Sequence, residues 1–366
     1  MEREPQIISV GDALVELKRP ALCSPLKEVT IRYPSRLDAA CTDPGKLYSV
    51  KSKDNIYPAG QINFCADICK TITVKPRDDE EVIISGNYSR RSLVRHAVIL
   101  MQKALGVSTG FSVVVNSDVD LRHCGLGSSA SAIQGVGAAI NELYDNPIKS
   151  MDLIRYLAGN HAEEIDGDDD HLVLVQSVGG SGVCGHYEGG LIIITGRAVP
   201  IVRVNLSDEL KIVFGVPSEY LYPDANKLIM DEVKVSEKFK RASVDFSREI
   251  AYRLLNQSIP ELIDGNLKPM KEFIFDYRWD MGSIRNCSYS YQDIFELSEK
   301  MRYLRNDDDI DFIFLSTAGP GFCIVTKDTE KAKKIFKGLN MKTFVANVYN
   351  GRYKIIEKVR RRQEGK

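Results

Sequence analysis

The chain begins with short apolar runs of strand length, separated by turn residues, and then changes to helical spacing. Val29-Thr30-Ile31-Arg32-Tyr33 runs up to Pro34. Thr71-Ile72-Thr73-Val74 is followed by the turn-forming Pro76-Arg77-Asp78-Asp79, and Val82-Ile83-Ile84 ends at Gly86-Asn87. Such a succession predicts a mixed or antiparallel sheet. Leu93, Val94, Ala97, Val98, Met101 and Leu105 then recur at three- and four-residue spacing and stop at Gly106, which predicts a helix. A strand over 111–115 and a loop with two glycines lead to a second helix over 128–144. A third helical stretch over 153–164 runs into an acidic loop, and β pattern returns at 191–194 and 202–204.

From about residue 209 the pattern resets. It predicts a strand over 210–216, a long helical region over 224–303, and a strand over 312–315. A glycine turn, a strand over 322–325, a helix over 329–339 and a last strand over 342–348 follow. Strands alternating with helices in each half indicate an α+β fold. At 366 residues the length favours two domains, taken as 1–205 and 206–366. Without a low-complexity segment or a Pro/Gly/Ser linker, the halves are expected to pack closely.

Composition narrows the partners. With 49 Lys and Arg against 50 Asp and Glu, the net charge of -1 makes no electrostatic case for nucleic acid or an anionic membrane. The basic run Lys358-Val359-Arg360-Arg361-Arg362 reads as a solvated tail. The opening residues lack a signal-peptide pattern and no apolar run reaches membrane-spanning length, so a cytoplasmic protein is expected. Eight scattered cysteines without paired metal-ligand spacing are expected to be reduced thiols.

The sharpest chemical signal is Gly125-Leu126-Gly127-Ser128-Ser129-Ala130-Ser131-Ala132, placed after a predicted strand and at the opening of a predicted helix. Two glycines let backbone N–H groups approach an anion. The serines suit an N-cap, and the helix N-terminus carries partial positive charge. Together they make a phosphate cradle. The loop is neither a Walker A sequence nor a GxGxxG fingerprint.

This octet resembles the second motif of the GHMP kinases, the family of galactokinase, homoserine kinase and mevalonate kinase. Pro34-Ser35-Arg36-Leu37-Asp38 resembles the first motif, Ala59–Ala66 the strand that follows it, and Ser316–Cys323 the glycine-rich third motif. The resemblance implies a two-domain fold, with an S5-like N-terminal domain and a ferredoxin-like C-terminal domain. It also implies transfer of a phosphoryl group from ATP, with Mg²⁺, to a hydroxyl of a sugar, polyol or similar small molecule. Residues 125–131 would wrap the ATP phosphates, with Gly319 and Gly321 closing the site. Ser129, with Glu163 or Glu164 at the end of the following helix, would hold Mg²⁺. Arg36 would face the transferred phosphate, and Asp38 and Asp43 would bind acceptor hydroxyls.

The sequence departs from the family where it matters for mechanism. Ser181-Gly182-Val183-Cys184 stands where sugar-kinase members carry S-G-x-D, so Cys184 replaces the catalytic aspartate. Either a carboxylate of the loop Asp166-Gly167-Asp168-Asp169-Asp170 takes over, with Asp170 the expected residue, or no base operates. Two other readings stay open. One is phosphoribosyl transfer, as in the β-ribofuranosylaminobenzene 5′-phosphate synthases, and the other is a relative that binds without turnover. The acceptor and the oligomeric state, a homodimer included, are not fixed by the sequence.

Overall fold

The computed structural model describes residues 6–23, 25–45, 59–175 and 177–360. The first half contains β1 (Ile7–Ser9), β2 (Glu28–Cys41), β3 (Gln61–Pro76), β4 (Val82–Ser85), α1 (Arg91–Leu105), β5 (Phe111–Ser117) and α2 (Ser128–Leu143). It continues through α3 (Ser150–Gly159), β6 (Ala162–Ile165), β7 (Asp168–Leu174), α4 (Gly180–His186), β8 (Leu191–Ile194) and β9 (Pro200–Val204). The second half contains β10 (Lys211–Pro217), α5 (Ala225–Lys234), α6 (Ser236–Arg253), α7 (Ile259–Ile263), α8 (Lys268–Arg278), α9 (Ser283–Asn286) and α10 (Ile294–Met301). It ends with β11 (Ile310–Leu315), β12 (Phe322–Thr326), α11 (Thr329–Gly338), β13 (Met341–Asn347) and β14 (Lys354–Val359).

The expected α+β class is what forms. The large sheet runs β14-β2-β3-β5-β4, with β8 and β9 added beside the first part of β3. Only β4 and β5 in it run parallel. The second half builds an antiparallel sheet in the order β11-β12-β10-β13. The apolar stripe of α1 and the small-residue face of α2 bury Leu93, Val98, Val136 and Ile140 against Ile31 and Ile72 of the large sheet. Phe64 of β3 packs on Phe312 and Phe314 of β11 at ring separations of 4.9 and 5.0 Å, so the two sheets share one core.

Three expectations are corrected. Tyr33 does not end a strand: β2 continues through Pro34 to Cys41, with register shifts between Tyr33 and Ser35 and between Asp38 and Ala40. A bulge is where a strand tolerates proline, because no ladder N–H is needed there. The third helix stops at Gly159, and Asn160 carries its last turn into the hairpin β6–β7. The basic C-terminal run is not simply a tail. Lys358 lies in β14, which pairs with β2, and its ammonium meets Glu142 at 2.5 Å. The N-terminal sheet is thereby completed by residues 354–359, so the two sheets do not separate cleanly at 205/206. Arg361 and Arg362 lie outside the described residues. Among the described residues no helix is long and apolar enough to cross a membrane.

Candidate active site

The loop after β5 enters α2 through two left-handed glycines, Gly125 at φ 98° and Gly127 at φ 59°. A Cβ on Gly125 would lie 2.5 Å from the carbonyl oxygen of Ser316, so a side chain there would separate the loop from the C-terminal half. The N-cap of α2 is Gly127, not one of the serines, and no side chain caps the helix. Its first N–H groups are therefore left for a partner from outside the helix. They open onto a cleft of about 810 Å³ lined by the loop residues 125–130, β2, the turn after β11, and α5–α6.

Hydrogen bonds join the three resemblance segments at the floor of this cleft. Ser316 Oγ donates to the carbonyl of Gly125 (2.7 Å) and accepts from the N–H of Asp38 (3.2 Å). The N–H of Thr317 donates to the Asp38 carbonyl (3.0 Å), and the N–H of Gly321 to that of Cys124 (3.0 Å). Arg278 of α8 holds the junction from below. Its Nε donates to the carbonyl of Ala39 (2.6 Å), Nη2 to that of Asp38 (2.8 Å) and Nη1 to that of Thr317 (2.9 Å).

The candidate residues separate into two groups. In the cleft are Gly125, Leu126, Gly127, Ser128, Ser129, Ala130, Arg36, Asp38, Glu163 and Gly319. Arg36 Nη1 donates to Thr317 Oγ1 (2.7 Å) and lies 3.9 Å from the Asp38 carboxylate. Burial raises the pKa of Asp38, against the opposing charges of Arg36 and Arg278. Ser129 Oγ donates to Glu163 Oε1. Burial pushes the pKa of Glu163 up, but the hydrogen bond from His161 and the charges of His123, His161 and Arg90 hold it well below the carboxylate range.

The others sit elsewhere. Ser131 is on the buried face of α2, where its hydroxyl accepts from Lys70 Nζ (2.8 Å). Burial, with Arg90 nearby, pulls that lysine down to about 7. Gly321 packs against Phe214, whose ring would be 2.1 Å from a Cβ there. Asp43 accepts from Ser243 Oγ (2.6 Å) and does not line the cleft. Glu164 faces away, with Arg90 Nε at 3.2 Å, and burial pushes it up to about 7. Asp170 is corrected outright. Its side chain is 78% exposed on β7, paired with Arg95 at 3.2 Å, and it is not part of the cleft. Cys184 is fully buried in α4, hydrogen-bonded to Cys65.

The site's oxygen donors fit a hard cation: Ser129 Oγ and the Glu163 carboxylate meet at the uncapped helix end. Glu163 Oε2 and the buried Ser128 Oγ make no hydrogen bond. His123, Glu163 and Glu164 also bring ligand atoms within 4.8 Å of one another, but Arg90 lies against both carboxylates. Arg90, Gln61, Arg278 and Lys70 are the functional neighbours that sequence reasoning did not single out. Each is a buried polar side chain, and its sequence neighbourhood gives no sign that it is buried.

Residues 92–176 match the family described as GHMP kinases N terminal domain. No curated protein matches the chain. Among solved structures, mevalonate diphosphate decarboxylase from Staphylococcus aureus is similar at 15% identity, over 91% of this chain and 98% of that one, with a TM-score of 0.63. Lactococcus lactis galactokinase complexed with galactose is similar at 11% identity, over 90% and 95%, with a TM-score of 0.63. The Methanococcus jannaschii mevalonate kinase is similar at 16% identity, over 88% and 99%, with a TM-score of 0.53. Such identities establish the fold and not the reaction. Residues 92–176 thus match the model described as GHMP kinases N terminal domain, and the chain as a whole has the fold of these three solved structures.

Proposed function

We propose that the protein transfers a phosphoryl group from ATP, with Mg²⁺, to a hydroxyl of a sugar, polyol or similar small metabolite. One observation carries the reading: the uncapped N-terminus of α2 opens onto the same cleft as Arg36, Asp38 and the Ser129–Glu163 pair. Phosphoryl transfer asks a protein mainly for positioning and neutralisation of charge. The N–H groups of the loop and first turn of α2 bind phosphate oxygens, and Gly125 and Gly127 leave room for that approach. Ser129 and Glu163 would hold Mg²⁺, which when bound spreads the charge of the phosphates. Arg36, fixed by Thr317, presents a guanidinium to the transferred phosphate, and Asp38 faces the acceptor hydroxyl. The turn at 317–319 and the helices α5 and α6 wall the cleft against water.

Cys184 supports a second reading, in which no base is needed and the cradle holds the pyrophosphate of phosphoribosyl pyrophosphate while an aromatic acid is joined to the ribose. An ADP-release assay with Mg²⁺-ATP across sugars, polyols, amino alcohols and mevalonate tests the kinase reading. ADP formation that requires one acceptor class supports it. Absence of ADP with every acceptor, together with consumption of phosphoribosyl pyrophosphate and an aromatic acid, replaces it with the second.

A further inference from the structure

With Asp170 outside the cleft, and Cys184, in the usual aspartate's place, buried against Cys65, neither position gives the acceptor hydroxyl a carboxylate. The carboxylates that line the cleft are Glu232 and Glu237 on α5 and α6, Glu163 and Asp38. Glu237 is ion-paired with Lys240 at the exposed edge, Glu232 beside it interacts with a neighbour of its own, and Glu163 is engaged by Ser129 and His161 and held well below the carboxylate range. Asp38 is different. Its side chain is only 6% exposed, and Gln61 Nε2 donates to its Oδ2 at 2.9 Å. Its Oδ1 is buried and has no side-chain partner, although the N–H of Ala40 also approaches the carboxylate and opposes the effect of burial.

The backbone of Asp38 is fixed on both sides, by Ser316 at its N–H and by Thr317 and Arg278 at its carbonyl. The carboxylate therefore has little freedom to turn away. A buried acceptor left unbonded costs free energy unless a partner arrives, and a donor hydroxyl on a substrate is such a partner.

We infer that Asp38 is the catalytic base of this site, its Oδ1 taking the proton of the acceptor hydroxyl as that oxygen attacks the γ-phosphorus of ATP. The inference rests on the kinase reading. The bond from the acceptor oxygen to phosphorus forms while the bond from phosphorus to the β,γ-bridging oxygen breaks, and that electron pair leaves with ADP. The proton stays on Asp38 until it passes to solvent after transfer. Gln61 donates to Oδ2, which also lies 3.9 Å from Arg36 Nη1, so Oδ1 is the carboxylate oxygen left to act. Burial raises the basicity of Asp38 and suits it to the task.

The test compares wild type with Asp38→Asn, which keeps the shape, the Gln61 contact and the backbone bonds. Binding of the analogue AMP-PNP with Mg²⁺ is measured by calorimetry. Turnover is measured as ADP release with the acceptor class that wild type phosphorylates, as a function of pH. The expected result is unchanged AMP-PNP affinity, an acceptor KM within a few-fold of wild type, and kcat lower by about 10²–10⁴-fold. The loss of wild-type kcat on the acid side should be absent from the variant.

A variant that keeps kcat within about tenfold while its acceptor KM rises overturns the inference, because Asp38 then only binds the hydroxyl. If Asp38→Asn fails to fold, the wild-type profile decides: kcat independent of pH from about 4 to 8 overturns a carboxylate base, and an acid limb supports it. Wild type that binds no AMP-PNP and releases no ADP with any acceptor overturns the kinase reading itself, and the inference with it.

Discussion

Arg278→Met tests how the halves of the site are held together. The side chain is 3% exposed and donates to three backbone carbonyls, on β2 and on the turn after β11. Ala39 falls at the register shift of β2, so its carbonyl has no place in the ladder with β3 and depends on the guanidinium. Asp38 keeps a second donor, the N–H of Thr317, but the carbonyls of Ala39 and Thr317 lose theirs. An orphaned buried acceptor costs about 1–3 kcal/mol, so two of them cost about 2–6 kcal/mol. Methionine fills most of the volume and leaves little cavity, and removal of a buried charge recovers part of the loss. The expected net destabilisation is about 3 kcal/mol, read by urea unfolding as a lower midpoint at unchanged slope. Arg278→Lys, with one point donor in place of the fork, should lie between the two. A loss below about 1 kcal/mol for Arg278→Met would refute the view that this residue clamps the two segments.

Mg²⁺ dependence separates the two neighbouring glutamates. Glu163→Gln should raise the Mg²⁺ needed for half-maximal ADP release by about tenfold, equivalent to ~1.4 kcal/mol, while Glu164→Gln should change it far less; equal curves for both variants would remove Glu163 as a ligand. Stability should also fall on the acid side because of His96. Its Nδ1 accepts from the N–H of Gly11 (2.8 Å) and its Nε2–H donates to the carbonyl of Asn160 (2.8 Å), which requires the neutral ring. Burial lowers its pKa to about 4 from the ordinary value of about 6.5. The unfolded chain therefore binds the proton first as pH falls, and stability is lost from about pH 6.5 down through 4, by up to roughly 3 kcal/mol. Denaturant melts of wild type and His96→Gln across this range check it, and identical pH slopes would exclude the histidine as the cause.

Local patterns were legible in the sequence and long-range ones were not. The loop 125–131 was readable because everything it needs, two positive-φ glycines and a helix start, lies within eight residues. Even there the serines looked like caps, whereas Gly127 takes the cap position and leaves the N–H groups open. Glu163 lies on β6 and not at the end of the helix that the spacing predicts. Ala162 continues the apolar spacing of α3, and that outweighed Gly159 and Asn160, which are ordinary helix-stop residues. Local charge density points to Asp170, but the fold turns it away from the cleft. Its true partner, Arg95, is distant in sequence and is brought beside it by the fold. β14 leaves no mark in the sequence pattern because it is an exposed edge strand with no buried face. The roles of Arg278 and Gln61 exist only in the contacts those residues make across the fold, which no single-chain pattern carries.

The central claim, that the cleft is built around the phosphates of Mg²⁺-ATP, is tested most directly by a crystal structure with AMP-PNP and Mg²⁺. Phosphate oxygens are expected on the N–H groups at the start of α2, with a cation between Ser129 Oγ and the Glu163 carboxylate and Arg36 facing the γ-phosphate. Nucleotide bound away from residues 125–131, or a cation held without either Ser129 or Glu163, would contradict it.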